Sequence, residues 1–126
     1  MFLKAALLDD NKEQLLKNQQ LLEQLRLSVV LACTNSQAFL NDVKTVQPEI
    51  LFFDLNLGDS YMTDMEVAFE LRLPVLFVSS NTAQYIKEME RLKRDFDVCV
   101  DHLTKPFSDA EFFKNHRTLL ERSTFF

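Results

Sequence analysis

Ile50-Leu51-Phe52-Phe53-Asp54-Leu55-Asn56-Leu57-Gly58-Asp59 runs four apolar residues straight into a carboxylate, with turn-forming residues behind it. A continuous apolar run this short reads as a strand buried on both faces. Asp54 then sits at the carboxyl end of that strand. In open parallel sheets, ligands bind outside the carboxyl ends of the strands. Asp also commonly opens a turn after a strand, so the rest of the chain has to decide between the two readings.

Upstream, Phe2-Leu3-Lys4-Ala5-Ala6-Leu7-Leu8 is a second short apolar run, and it ends in Asp9-Asp10-Asn11. Asp10 and Glu13 have the spacing of a capping box, which predicts a helix start. Leu15, Leu22 and Leu25 recur on one face of that helix, broadened by Leu16 and Leu21. Val29 to Cys33 reads as the next strand, and Thr34-Asn35-Ser36 supplies N-cap chemistry for a helix carrying Ala38, Phe39, Val43 and Val46. Pro48 cannot continue that helix and leads into the strand ending at Asp54.

Downstream, Thr63 and Glu66 repeat the capping-box spacing before a short third helix with Met65, Ala68, Phe69 and Leu71, broken by Pro74. Val75-Leu76-Phe77-Val78 is a fourth strand, ending in Ser79. A fourth helix carries Ile86, Met89, Leu92 and Phe96 on one face, and its charged outer face reads as solvated. Val98 to Leu103 is a fifth strand, running to Thr104-Lys105-Pro106-Phe107. Ser108 and Glu111 cap a last helix with Phe112, Phe113, His116, Leu119 and Leu120 inward. Phe125 and Phe126 either cover a core edge or begin a further connection.

Five strands and five helices in strict alternation predict an α/β domain with a doubly wound, mostly parallel sheet and helices on both faces. The 126 residues suit one domain, with no linker or repeat. Twelve Phe and no Trp predict a Phe-rich core, and a single Gly leaves few turns that rely on glycine for positive φ. A net charge of −5 and a pI near 5.0 speak against a nucleic-acid-binding surface. Cys33 and Cys99 lie in apolar runs without metal-ligand spacing and read as free thiols. No apolar run is long enough for a membrane span and no signal-peptide pattern opens the chain, so a cytoplasmic location is expected.

Four strand ends now carry related polar residues: Asp9 and Asp10, Asp54, Ser79, and Lys105. In a doubly wound sheet these ends share one edge. Carboxylates gathered there repel each other unless a cation joins them. Hard oxygen ligands suit Mg²⁺. With a lysine and a hydroxyl beside them, the expected chemistry is phosphoryl transfer, with a carboxylate as acceptor.

Leu8-Asp9-Asp10-Asn11, Phe53-Asp54-Leu55-Asn56-Leu57, Pro74 to Ser79 and Leu103-Thr104-Lys105-Pro106-Phe107, in this order along the whole chain, resemble the receiver domains of two-component response regulators, the CheY-like family. The resemblance implies a flavodoxin-like sheet of order 2-1-3-4-5 and a receiver domain over 1–126 with no output domain. It implies that Asp54 accepts phosphate from a sensor histidine kinase, a phosphotransfer protein or a small phosphodonor. Asp10, Asp54 and the backbone carbonyl of Asn56 would ligate Mg²⁺, and Asp9 would reach it through water. Ser79 and Lys105 would contact phosphoryl oxygens, and the Lys105–Pro106 bond would be cis. Partner binding or homodimerisation would use the fourth helix, fifth strand and fifth helix. The resemblance implies no direct nucleic-acid or membrane binding, and no enzyme activity beyond the domain's own phosphorylation and dephosphorylation.

The chain departs from the family pattern at several places. Gly58 stands where Pro is usual, and Asp64 where Gly is usual, in a loop about two residues longer judged by the helix signal at Glu66. Asp tolerates a left-handed backbone better than most residues. Asn81 reads first as a helix cap. Ser80 replaces a usual Ala, which predicts slower hydrolysis of an acyl phosphate. His102 holds the position of a switch aromatic, and an inward imidazole there would meet Ser79; a half-exposed histidine without that role is the alternative. A phosphorylation-independent interaction module on the same fold is the second functional reading, supported by the altered loop. A phosphatase with an Asp nucleophile is a third, weakened because Asn56 stands where such enzymes place a second acid.

Overall fold

Each apolar run becomes a strand of one sheet. The computed structural model describes residues 3–55, 61–79, 85–105 and 107–115, with backbone alone for 61–65. The elements alternate as β1 (Lys4–Leu8), α1 (Lys12–Gln24), β2 (Ser28–Cys33), α2 (Ser36–Val46), β3 (Ile50–Asp54), α3 (Tyr61–Leu71), β4 (Val75–Ser79), α4 (Ile86–Phe96) and β5 (Val100–Thr104). Residues 109–115 are helical and form the described part of α5. The sheet order is β2-β1-β3-β4-β5, and every pairing is parallel. This is a flavodoxin-like α/β fold.

Alternation along the strands divides the core in two. Ala6, Leu8, Leu51, Phe53, Val75, Phe77 and Val100 face α2, α3 and α4, meeting Phe39, Val43, Val67, Ala68, Met89 and Leu92. Ala5, Leu7, Ile50, Phe52, Leu76, Val78 and Leu103 face the other way, against Leu15, Leu21 and Leu22 of α1 and Phe112 of α5. The central strands β3 and β4 are buried at every position, as continuous apolar runs require. The Phe-rich core contains edge-on and tilted ring pairs. Phe53 meets Phe39 at 5.3 Å and Phe77 at 6.1 Å, while Phe52 meets Phe112 at 5.4 Å. Such pairs add to the area term because ring edges and faces carry opposite partial charge.

The capping signals resolve unevenly. Asn35 caps α2, its side chain accepting from the Ala38 N–H at 2.8 Å. Ser108 and Glu111 form the reciprocal box: the Ser108 hydroxyl accepts from the Glu111 N–H at 3.1 Å, and the Glu111 carboxylate accepts from the Ser108 N–H at 3.2 Å. Two expected starts move. Asn11, not Asp10, caps α1, because its side chain accepts from the Gln14 N–H at 3.0 Å. Helix α3 begins at Tyr61, before the Thr63–Glu66 spacing. Gly58, Ser80, Asn81, Pro106, Phe125 and Phe126 lie outside the described residues. Cys33 and Cys99 are free and partly buried.

Helices close without glycine. Arg26, Gln47, Arg72 and Asp97 take φ of 63°, 50°, 53° and 53°, each just past a helix end. Bonds such as Gln47 N–H to Val43 O and Val98 N–H to Leu92 O satisfy the orphan carbonyls there. A left-handed conformation costs a residue with a Cβ about 1–2 kcal/mol, and glycine's greater unfolded freedom returns part of that. Gln47→Gly and Asp97→Gly are each expected to stabilise the fold by about 0.5–1 kcal/mol in denaturant titration. Arg72 is a poorer target, since its guanidinium lies 4.5 Å from the centre of the Phe96 ring.

Candidate functional site

The sheet register brings the polar strand ends together. Leu8 pairs with Phe53, so Asp9 follows β1 beside Asp54 at the end of β3. Asp54 pairs with Val78, and Ser79 pairs with Thr104, so Ser79 and Lys105 complete the row on β4 and after β5. The strand order reverses between β1 and β3, which opens the crevice where doubly wound sheets bind ligands.

Asp54 is 1% exposed. The Lys105 ammonium lies 2.6 Å from its Oδ2, and its Oδ1 has no hydrogen-bond partner among the described residues. The close approach of Lys105 is an ion pair without hydrogen-bond alignment, so the carboxylate is neutralised in part but poorly bonded. Lys105 is itself anchored by its backbone, whose N–H donates to the Ser79 carbonyl at 2.9 Å. Ser79 is fully buried.

Asp9 is also 1% exposed, whereas Asp10 is exposed at the next position. Asp9 Oδ1 accepts from the Asn11 N–H at 2.9 Å, and Oδ2 accepts from Asn18 Nδ2 at 3.4 Å. Burial pushes the Asp9 carboxyl up from its ordinary 3.8 to about 7, and the Asp54 carboxylate beside it pushes the same way. The Asn11 N–H and the Lys105 charge pull weakly in the other direction. A carboxyl with its pKa raised on folding stabilises the folded chain while protonated. That contribution is present below about pH 3.8 and is lost as pH rises through about 7. Metal-free protein should therefore lose stability between about pH 4 and pH 7, and Asp9→Asn should flatten that decline in thermal melts; equal slopes in the two proteins would refute the assignment.

Two buried carboxylates facing each other, one with an orphaned oxygen, are a donor set that fits a hard divalent cation. Among the described residues no three of His, Cys, Asp and Glu gather as a metal-sized cluster. Asn56 lies outside the described residues.

His102 is half-buried on β5 opposite Phe77, on the α4 side of the sheet that it shares with Val100. Its carbonyl accepts from Asn115 Nδ2 of α5 at 3.0 Å, a tie that no local sequence pattern announces. Asn18 was equally silent. Its signal is a polar residue inside the apolar stripe of α1, between Leu15 and Leu22.

The fold matches solved receiver domains. A CheY-like response regulator receiver domain from Methylobacillus flagellatus superposes with a TM-score of 0.75 at 20% identity, covering 94% of this chain and 99% of that one. A CheY-like receiver domain protein from Methanospirillum hungatei JF-1 gives 0.77 at 15% identity, covering 98% of both chains. The isolated receiver domain of RcsB from Salmonella enterica serovar Typhimurium, in the presence of phosphomimetic BeF3⁻, gives 0.74 at 18% identity, covering 96% and 90%. No protein-family profile and no curated protein sequence matches the chain. The chain thus has the receiver-domain fold, and identities this low speak to fold alone. Among the described residues no helix is long and apolar enough to cross a membrane.

Proposed function

We propose that this receiver-fold chain is the phospho-acceptor domain of a two-component response regulator, cytoplasmic, with Asp54 as the acceptor. The observation that supports this most is the condition of Asp54, a buried carboxylate at the switch point with one oxygen beside Lys105 and the other without a hydrogen bond among the described residues. Fold stability gives no reason for that arrangement, because burying an incompletely bonded charge costs free energy. Readiness to form a new bond does.

In the transfer, an Asp54 oxygen attacks the phosphorus of a phosphohistidine on a sensor histidine kinase or phosphotransfer protein, or of a small acyl phosphate. An O–P bond forms as the N–P or O–P bond breaks. The leaving imidazole or carboxylate keeps the electron pair, and the imidazole takes a proton from solvent. Hydrolysis later returns the Asp54 carboxylate and inorganic phosphate. Asp10 and Asp54 would hold Mg²⁺ with the Asn56 carbonyl, and Asp9 would reach it through water. When bound, that ion neutralises charge on the transferring group. Lys105 moves its ammonium from Asp54 to a phosphoryl oxygen, and the Ser79 hydroxyl donates to another. These shifts bias a surface of α4, β5 and α5 toward a partner or a second copy, with His102 on the strand between them.

A second reading is an interaction module on this fold that works without phosphate; its support is the sequence of the loop after Asp54, where Gly58 stands in place of the family's Pro. Intact mass after incubation with Mg²⁺ and acetyl phosphate separates the two. One phosphoryl addition, blocked by chelator, is expected. No addition with acetyl phosphate or with a panel of kinases would select the second reading.

A further inference from the structure

Asn18 is fully buried on the face of α1 that otherwise presents Leu15, Leu21 and Leu22 to the sheet. A leucine there would be the ordinary solution. A buried amide is costly unless its donors and acceptors are met. Asn18 meets them in a definite order. Its Oδ1 accepts from Gln14 Nε2 at 3.0 Å, one turn earlier on the same helix. Nδ2 is directed at Asp9 Oδ2 at 3.4 Å, the orientation an acceptor carboxylate requires. The Asn11 N–H holds the other oxygen of Asp9 at 2.9 Å. Both oxygens of a buried carboxylate are therefore pinned, one by the helix start and one by the helix interior.

We propose that Asn18, oriented by Gln14, is a positioning residue that sets the Asp9 carboxylate toward Asp54 for binding a divalent cation. This rests on the phospho-acceptor reading above, in that the cation is the one expected there. Groups that orient ligands from behind commonly matter tenfold or more for metal affinity. The Gln14–Asn18–Asp9 chain makes a second claim, that Gln14 and Asn18 act as one unit.

The test is calorimetric titration of the full chain with MgCl₂, at a temperature where circular dichroism shows each variant folded. Asn18→Leu is expected to weaken Mg²⁺ binding about tenfold. Gln14→Met, a change at the partly exposed end of the relay, is expected to weaken it less. The double variant should be no weaker than Asn18→Leu alone, since both substitutions break one relay. A merely structural Asn18 would shift the thermal midpoint and leave the Mg²⁺ affinity of the folded variant unchanged. Parent-like affinity in both single variants, or additive losses in the double, would overturn the proposal. A parent chain that binds no Mg²⁺ would overturn the functional reading beneath it, an outcome distinct from binding that ignores Asn18.

Discussion

Asp54→Asn is expected to abolish phosphoryl incorporation completely while raising the melting temperature of the metal-free protein. The two effects have one cause. Asp54 has a fully buried side chain, lies against the Asp9 carboxyl, and leaves Oδ1 without a hydrogen bond among the described residues. Replacing it by an amide of the same shape removes the nucleophilic charge and relieves the repulsion with Asp9. The partner left behind is not stranded, because the Lys105 side chain is 28% exposed and can carry its ammonium into water. The expected gain is about 1–3 kcal/mol, the size of the penalty for a buried polar group left without hydrogen bonds, because the Lys105 charge is not stranded when Asp54 is neutralised. Intact-mass and calorimetric measurements on the same preparation check both halves. A melting temperature well below that of the parent would mean that the Lys105–Asp54 pair is a net stabiliser, and would remove the argument that Asp54 is kept for chemistry.

Lys105→Met should have the opposite sign. It deletes the ammonium that lies against Asp54 and, among the described residues, leaves a buried carboxylate without its counter-charge. Breaking a buried pair from this side costs about 3–5 kcal/mol, because the remaining charge has no route to solvent. The asymmetry between the two substitutions is the informative quantity. Adding Asp54→Asn to Lys105→Met should restore most of the lost stability, since the stranded charge is then gone. A double-mutant cycle by denaturant titration measures this directly, and the coupling should exceed about 1 kcal/mol for groups in contact. Additive single effects would show that the pair is held apart by water in solution and that Lys105 is not the group facing Asp54.

Much of the candidate site is legible in the sequence, for physical reasons that differ by residue. Asp54 announced itself because an apolar run that ends in a carboxylate is a local pattern, and local patterns survive folding. Ser79 and Lys105 became readable only through the alternation of elements, which places all strand ends on one edge. Asp9 and Asp10 were told apart only by the family resemblance, which gave Asp10 the direct metal role and Asp9 a role through water. They are neighbours with the same chemistry, and only the exit of the chain from β1 into the Asn11 cap buries the first and exposes the second. The cap itself went to Asn11 because three adjacent polar side chains all have cap-forming oxygens, and the one whose side chain reaches the Gln14 N–H wins.

The order of strands and helices and the division of residues into core and surface were determined by the sequence alone, which also singled out Asp54 as the proposed acceptor. They rest on short-range periodicity and on the rule that parallel strands need crossovers. The tertiary structure decided the pairings between distant residues. Lys105 meets Asp54, Asn115 meets the His102 carbonyl, and Asn18 reaches Asp9 through the core. A polar residue inside an apolar stripe looks like an imperfection until the packed sheet supplies its partner. That partner depends on strand register and helix rotation, which are set by burial of the whole domain and by no segment of it.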